Sequence, residues 1–246
     1  MKGKTDIITR PVLFPILLFL VVAPVSCVTF AGKLPTEEAL DELNNLRTPD
    51  YPSFSGVGSL EVSTGGAKKQ AATILLALDG SRYRLELLDA VGRAVLAVAG
   101  DGERMIKVDP VSGAREEIKG PEAGRVSLGS VRAPVAALRS IVTGAPPVFK
   151  SVRSASLLDG RRRALVEGPE MELVYSDRLE RVAIPAGEGG VVVYELGPMA
   201  RGPMAPYVSS VKITLEGAGE ATVRWRRVSQ GRRFPEGFFA FNDSTE

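Results

Sequence analysis

The chain has 246 residues, with 31 basic and 29 acidic side chains, one cysteine and no histidine. This composition excludes triads of the Ser-His-Asp type and leaves almost no room for an ordinary zinc site, so we expect no metal. Residues 1–26 hold three of the basic side chains and one of the acidic ones; the remaining 28 of each sign balance, which argues against nucleic acid as a partner.

Residues 1–26 have the layout of a secretory signal peptide. A basic start is followed by an uncharged, mostly apolar run over residues 12–25 and by the small residue Ser26. The apolar run is too short and too interrupted by prolines for a good membrane-spanning helix, which needs about 20 apolar residues. Cys27 follows directly, and as the only cysteine it has no partner for an internal disulfide.

The sequence Pro24-Val25-Ser26-Cys27 resembles a lipobox, although Pro24 stands where such sites prefer Leu. The resemblance implies that Cys27 is lipidated and that residues 27–35 form a lipidated tether. In the sorting rule for inner-membrane lipoproteins, Asp follows the lipidated cysteine. Val28 stands at that position here, which implies no retention in the inner membrane. The alternative is an ordinary cleaved signal, or a retained anchor, with an incidental cysteine.

A helix is predicted from Thr36, as its cap, to about Arg47, because apolar residues recur there at helical spacing. From Phe54 the apolar period changes to two, and Gly-rich turns separate short segments, which indicates an antiparallel meander. Strands are predicted at residues 54–62, 72–78, 83–87, 93–99, 104–108, 114–118, 163–166, 171–175, 181–184, 191–196, 209–215 and 221–228.

A second helix is predicted over residues 134–143, opened by Pro134 and ended by Gly144, and residues 197–206 are predicted to form a loop. The chain is therefore mainly β, with about ten to twelve strands. A sheet of that size curls or splits. A curled sheet with helices across its mouth can enclose a cavity or pack as a solid core, and the sequence leaves both open.

Three segments resemble LolB-like outer-membrane lipoproteins of the LolA/LolB-fold superfamily. Residues 82–93 resemble a strand, a tight loop with an apolar residue before Gly, and the next strand. Residues 134–146 resemble the family's short helix with a Leu-Arg step and a Gly-x-Pro turn, and residues 203–206 its Pro-rich lead into a late strand. The resemblance implies an incomplete antiparallel β-barrel with short helices forming a lid, as a single domain over residues 36–246.

Members of this family hold the acyl chains of lipoproteins inside the half-barrel. The resemblance therefore implies a bacterial, non-enzymatic lipoprotein, lipid-anchored to the periplasmic face of the outer membrane, that binds acylated lipoprotein or lipid and assists its transfer or insertion. A periplasmic carrier protein is an expected partner. The alternative is a structural or assembly-factor lipoprotein that acts through a protein partner.

The resemblance also implies a membrane-directed loop at Ala90, Val91 and Gly92, where the family's apical Leu is replaced by Val91; a plain hairpin turn is the alternative. The candidates for cavity or lid residues are Leu76, Leu85, Leu87, Leu96, Leu138, Ile141, Val142, Met199 and Met204. The methionines can gate a hydrophobic mouth or simply pack over the sheet. Residues 161–163 are either head-group contacts or a solvated turn between strands. Trp225, which lies among arginines, is either a head-group contact or part of an alternating strand with its basic face in water. The dispersed glycines match no phosphate or dinucleotide motif, and we expect no cofactor.

Overall fold

The computed structural model describes residues 32–47, 51–63, 70–101, 103–120, 125–128, 131–134, 137–168, 170–186, 190–215 and 219–240. Within these ranges the chain forms two α-helices, α1 (Thr36–Asn45) and α2 (Ser140–Thr143), and 18 strands. The strands are β1 (Gly32–Leu34), β2 (Phe54–Ser63), β3 (Gln70–Asp79), β4 (Arg82–Leu88), β5 (Ala94–Gly100), β6 (Arg104–Val108), β7 (Arg115–Lys119), β8 (Arg125–Leu128), β9 (Val131–Pro134), β10 (Ser151–Leu158), β11 (Arg161–Glu167), β12 (Met171–Tyr175), β13 (Leu179–Ala186), β14 (Gly190–Leu196), β15 (Met199–Ala200), β16 (Tyr207–Val208), β17 (Ser210–Leu215) and β18 (Gly219–Gln230).

Fourteen strands form one antiparallel sheet, in the order β1-β10-β11-β12-β13-β14-β17-β18-β2-β3-β4-β5-β6-β7. The long pairing of β18 with β2 joins the C-terminal half of the sheet to the N-terminal half. With β1 at one edge and β7 at the other, the sheet stays open and does not close into a barrel. The predicted mainly β, incomplete antiparallel barrel is confirmed.

Period-two alternation gives the sheet one buried face. On β4, Tyr83, Leu85 and Leu87 are buried, whereas Arg84 and Glu86 lie on the opposite face and pair with each other at 2.7 Å. The same alternation continues along the neighbouring strands, so their inward residues merge into one apolar cluster. Side chains on one face of adjacent strands lie close together, which is what makes such a cluster continuous.

All twelve predicted strands are present in the main sheet, and β1 and β10 raise the number to fourteen. On β10 only Ala155 is buried, so this strand carries no apolar alternation that could be recognised in the sequence. β1 has three residues, which lie within the predicted tether, and it pairs with β10. Cys27, the predicted signal peptide and residues 28–31 lie outside the described residues.

The first helix is confirmed at Thr36–Asn45, with one correction at its start. Pro35, not Thr36, occupies the cap position, and the carbonyl of Pro35 accepts the first helical hydrogen bond, from the Ala39 N–H at 3.1 Å. Ala39 and Leu43 are fully buried. Among the described residues, no helix has the length and apolar composition to cross a membrane.

The predicted second helix is confirmed at Ser140–Thr143 and wrong at Pro134 and residues 137–139, whereas residues 135 and 136 lie outside the described residues. Residues 131–134 form strand β9, and α2 covers only Ser140–Thr143, ending at Gly144 with φ 68°. Burial explains the difference. The apolar residues of this segment are buried on every side, so their helical spacing does not mark the buried face of a longer regular helix. The predicted loop over residues 197–206 is interrupted by β15, which pairs with β16.

A C-terminal aromatic segment covers part of the outer face of the sheet. Phe234, Phe238 and Phe239 pack on one another with ring centroids 4.9–5.1 Å apart. The guanidinium of Arg84 lies 4.5 Å from the Phe238 ring centroid, and that of Arg82 lies 5.0 Å from the Phe239 centroid. These cation–π contacts place the segment against β4 and β5, on the face opposite the main core.

Candidate functional site

The buried face of the sheet is covered by residues 137–149, which we call the inner segment. Every residue of the inner segment is buried except Arg139, which is half-buried, and Val148. Its helical turn is held locally, since the Thr143 hydroxyl donates to the Arg139 carbonyl and accepts from the Ala145 N–H, both at 3.0 Å. The inner segment therefore fills space over the sheet with its own side chains.

The second cover over this region is α1. Glu42 on α1 forms an ion pair with Arg162 at 2.7 Å and accepts a hydrogen bond from the Tyr175 hydroxyl at 3.3 Å. Burial, together with the nearby Glu42 carboxylate, raises the pKa of Tyr175 well above its ordinary value, so this tyrosine stays a neutral donor. At the far end of α1, the Arg47 guanidinium stacks over the Phe149 ring at 4.5 Å. The helix is thus joined to the sheet at one point and to the inner segment at another.

The arginine run at residues 161–163 is paired within the protein. Arg161 lies 3.2 Å from Glu180, Arg162 pairs with Glu42 on α1, and Arg163 pairs with Glu172. The predicted turn is wrong, because the three arginines begin strand β11, and their ion pairs within the protein argue against a head-group site.

The loop between β4 and β5 presents Val91 to solvent, with 75% of its surface exposed. The Asp89 carboxylate accepts hydrogen bonds from the backbone N–H groups of Val91 at 3.0 Å and Arg93 at 2.9 Å, and from the Arg93 side chain at 2.8 Å. Hydrogen bonding, from the Arg93 N–H above all, lowers the pKa of Asp89 below its ordinary value. Gly92 supplies the positive φ, 83°, that this tight turn needs. The loop is therefore an ordered turn with an apolar apex.

The β6–β7 hairpin repeats this design, and the sequence analysis missed it. Asp109 accepts a hydrogen bond from the Val111 N–H at 2.8 Å, and Val111 is 94% exposed. In an antiparallel meander the β4–β5 and β6–β7 turns lie at the same end of the sheet, two strand spacings or about 10 Å apart. The repeated Asp-x-Val at residues 89–91 and 109–111 is the signal that could have identified the second apex.

Trp225 faces the core and not solvent. It is 9% exposed, and its ring meets the Phe54 ring edge-on at a centroid distance of 5.5 Å. The arginines at 224, 226 and 227 are exposed. The strand β18 therefore has a basic outer side and an aromatic inner side. This alternation explains why Trp225 lies among arginines in the sequence, without a head-group contact.

No protein-family model and no curated protein sequence matches the chain. Its fold, however, matches solved structures. A domain named for outer-membrane lipoprotein sorting, from Vibrio parahaemolyticus, superposes with a TM-score of 0.61 at 8% identity, over 83% of this chain and 95% of that one. A LolA superfamily protein from Nitrosomonas europaea gives 0.54 at 11% identity, over 84% and 97%. A DUF1329 family protein from Desulfovibrio piger gives 0.57 at 9% identity, over 83% and 97%.

The chain has the LolA/LolB fold. At identities of 8–11% the likeness is one of fold.

In this LolA/LolB fold most of the predicted cavity and lid residues come together. The cluster between the sheet and the inner segment includes Leu76, Leu85, Leu87, Leu138, Ile141 and Val142. Leu96 and Met199 are half-buried at its margin, whereas Met204 is 66% exposed and lies apart from it. Two surface recesses, of about 150 and 460 Å³, contain none of these residues; one lies beside the C-terminal aromatic segment and the other beside β1.

Two polar atoms within this apolar region have no hydrogen-bond partner among the described residues. They are the indole nitrogen of Trp225 and the hydroxyl oxygen of the fully buried Ser140. A buried donor without a partner costs about 1–3 kcal/mol of stability. Native proteins rarely leave such groups unpaired, and ordered water is a common partner for them.

Proposed function

We propose that this protein is a lipid-anchored carrier at the periplasmic face of the bacterial outer membrane. It binds the acyl chains of lipoproteins or lipids between the sheet and the inner segment and assists their transfer or insertion. The observation that carries the proposal is the continuous apolar face of the fourteen-stranded sheet, covered by a segment with one helical turn. The LolA/LolB fold, shared with a domain named for lipoprotein sorting, supports it.

The inner segment is suited to exchange with an acyl chain. Leu138, Ile141 and Val142 supply apolar groups at positions that an acyl chain could take. The backbone N–H groups of Val142, Thr143 and Gly144 bond to carbonyls at Arg139 and Ser140, inside the segment itself. Moving the segment as a unit therefore leaves these hydrogen bonds intact.

The free energy lost when the inner segment is displaced is similar to the free energy gained when an acyl chain is buried. Exposing three buried aliphatic side chains costs about 1.5–3 kcal/mol each, and each acyl methylene that enters the apolar region returns about 0.8 kcal/mol. About six to eleven buried methylenes therefore offset the displacement of Leu138, Ile141 and Val142. A long acyl chain can take their place, and a short one cannot.

We further propose that the carrier is anchored through acyl chains on Cys27 and contacts the bilayer with Val91 at the apex of its loop. Several acyl chains on one residue suffice for stable anchoring, since a single chain gives only reversible binding. The ordered Asp89 turn supports the contact, because it holds an exposed apolar side chain away from the sheet. We infer a binding role and not a catalytic one, which accords with a chain that contains no histidine to serve as a general base.

Photo-crosslinking tests the carrier function. Full-length protein in lipid nanodiscs is mixed with a palmitoyl probe that carries a diazirine near the end of its chain, irradiated, digested and analysed by mass spectrometry. We expect adducts on peptides that contain Leu76, Leu85 or the inner segment. Outer-face Ala97 and Ala99 serve as the internal control, since they pack on the opposite side of the sheet.

Adducts on the outer face alone, or none at all, would contradict the carrier function. They would favour the second candidate, an assembly-factor lipoprotein with a solid core that acts through a protein partner. The observation in favour of that candidate is that the chain's own side chains already fill the space under the inner segment.

A further inference from the structure

An exposed basic surface lies where β18 ends. We call it the arginine patch, and its members are Arg201, Arg226, Arg227, Arg232 and Arg233, all of which are exposed. Within the described residues none of these five side chains has an ion-pair or hydrogen-bond partner, whereas Arg224 on the same strand pairs with Glu61 at 3.2 Å. Residues 197–209 and 221–235, which carry the patch, contain no acidic residue. This surface is therefore positive, although the charges of the chain after residue 26 balance.

A β-bulge places two successive arginines of the patch on the same side of β18. Trp225 pairs with Gly58 of β2 and Val228 pairs with Gly56, and both glycines lie on the buried face. The register shifts between these two pairs, so residues 226 and 227 both lie on the outer side and are exposed. Bulges commonly re-aim a side chain in this way. The concentration of charge here is thus built into the strand.

The loop that carries Arg201 is fastened to the end of β18 by Gln230. The side-chain oxygen of Gln230 accepts the backbone N–H groups of Met204 at 2.9 Å and Ala205 at 3.0 Å. Its amide nitrogen donates to the Ala205 carbonyl at 2.9 Å. The loop is therefore ordered before any partner arrives, and such preorganisation lowers the entropy cost of binding.

Two close glycine contacts bring the loop and the end of β18 together. A Cβ at Gly202, next to Arg201, would lie 2.7 Å from Gln230 Oε1, and a Cβ at Gly231, next to Arg232, would collide with Met204 Sδ. Met204 itself is 66% exposed. An apolar side chain is thus exposed between the two segments that carry the arginines.

We propose that the arginine patch is a docking surface for the acidic face of a protein partner, with Met204 as its apolar centre. The planar guanidinium of Arg binds a carboxylate through two parallel hydrogen bonds. Arg and Met are enriched at protein interfaces, whereas Lys is depleted there. Residues 197–209 and 221–235 contain six arginines and no lysine. An anionic bilayer attracts Lys and Arg alike, so the exclusive use of Arg favours polypeptide carboxylates as the ligand.

The arginine patch and the loop at Val91 lie at opposite ends of their strands. Gln230 at the end of β18 pairs with Phe54 at the start of β2, and Leu78 of β3 pairs with both Phe54 and Tyr83. β4 therefore begins at the end where the patch lies and runs toward the β4–β5 turn at the other end. A partner bound to the patch leaves Val91 free. This inference goes beyond the carrier function and applies equally to the second candidate function.

A random copolymer of Glu and Tyr is the probe for this surface, and polyglutamate is the reference. Full-length protein in phosphatidylcholine nanodiscs is titrated with each fluorescently labelled polymer, and binding is followed by fluorescence anisotropy. We expect the copolymer to bind more tightly than polyglutamate, because its tyrosines can pack on Met204. Binding of both polymers should weaken as salt is added, since exposed charges are screened.

Variants at exposed positions test the arginines and Met204 separately. Arg226→Gln/Arg227→Gln is expected to weaken copolymer binding about tenfold, and Arg226→Lys/Arg227→Lys, which keeps the charge but loses the planar fork, about threefold. Met204→Ser should remove the preference for the copolymer over polyglutamate. Lys33→Gln/Lys107→Gln is the matched control, because it removes the same charge from exposed positions on β1 and β6. It should bind the copolymer as the wild-type protein does.

Equal copolymer binding by Arg226→Gln/Arg227→Gln and by the lysine control would overturn this inference. So would equal binding by the wild-type protein and Arg226→Lys/Arg227→Lys, which would show that charge alone acts. Phosphatidylglycerol vesicles are tested in parallel, and a loss of vesicle binding as large as the loss of copolymer binding would assign the patch to a membrane surface instead. The absence of acyl-chain adducts in the photo-crosslinking experiment would contradict the carrier function and leave this inference intact.

Discussion

At the scale of single residues, glycines without side chains make room for the aromatic core. Gly56 and Gly58 alternate on the buried face of β2, where the sequence pattern alone would favour larger apolar residues. A Cβ at Gly56 would lie 2.6 Å from the Phe54 ring and 2.9 Å from Trp225. Neither ring has space to move away, since each packs against the other.

Gly56→Ala is therefore expected to lower the free energy of unfolding by about 1–3 kcal/mol, the usual cost of overpacking a core. Urea denaturation followed by the fluorescence of Trp225 measures it. Gly32→Ala is the control, because its Cβ would meet nothing closer than 3.8 Å and a surface change of this kind costs at most about 0.5 kcal/mol. Equal midpoints for the two variants would contradict the packing argument.

Asp89 makes the stability of its loop depend on pH. Hydrogen bonds to its carboxylate lower its pKa in the folded protein. A group whose pKa is lowered by folding stabilises the protein above its unfolded pKa, about 3.9 for Asp, and that contribution is lost as the pH falls through the folded pKa. Asp89→Ala should therefore lower the urea midpoint at pH 7 and have a smaller effect near pH 3.

Glu236→Ala, at an exposed position of the C-terminal segment, controls for the general effect of removing a carboxylate. A difference between wild type and Asp89→Ala that stayed constant between pH 7 and pH 3 would show that the carboxylate does not act in its charged form.

At the scale of elements, α1 is attached to the sheet through Glu42. The Glu42 carboxylate receives both the Arg162 guanidinium and the Tyr175 hydroxyl, on two neighbouring strands. Ala39 and Leu43 supply the apolar contact on the same helix. The helix is thus positioned by a polar contact that lies beside its buried face.

Glu42→Gln is expected to destabilise the docking of α1 by about 1 kcal/mol, because the amide keeps the shape of the side chain and loses the charge that pairs with Arg162. Amide hydrogen exchange in residues 39–45 should become faster. Glu37→Gln, at an exposed position on the same helix, is the control. Identical hydrogen-exchange rates in the two variants would show that apolar contacts alone hold α1 against the sheet.

At the scale of the whole molecule, apolar residues are exposed at one end of the β4–β7 meander. Val91 and Val111 occupy the apices of neighbouring hairpins, and Val95, 55% exposed, lies on the strand between them. Each apex is held by an aspartate that accepts the N–H of its own valine. The architecture of the sheet, not any single turn, brings the two apices to the same end.

Val91→Glu should therefore slow the delivery of a palmitoylated cargo peptide to liposomes several-fold, because a carboxylate resists entry into the apolar part of a bilayer. Fluorescence dequenching of a labelled cargo measures the rate. Leu157→Glu is the control, since Leu157 is 42% exposed and lies on β10, toward the opposite edge of the sheet from both hairpins. Equal delivery rates for the two variants would contradict the proposed membrane contact of this loop.

The sequence by itself determined the elements whose apolar residues alternate. Strands such as β2, β4 and β12 were predictable because one face is buried and the other is more exposed. Apolar and polar residues therefore alternate along each of these strands. The loop at Val91 was also predictable as a turn, because Asp89 and Gly92 have the chemistry that the turn requires.

Only the tertiary structure decided the parts that depend on distant contacts. β10 buries a single residue and is a strand because β1 and β11 provide its hydrogen-bond partners. The inner segment resembles a helix in its spacing, but it is apolar on every side and surrounded by the sheet and α1, so burial overrides its local preference. Whether the space over the sheet is hollow or filled depends on residues far apart in the chain, which no local pattern records.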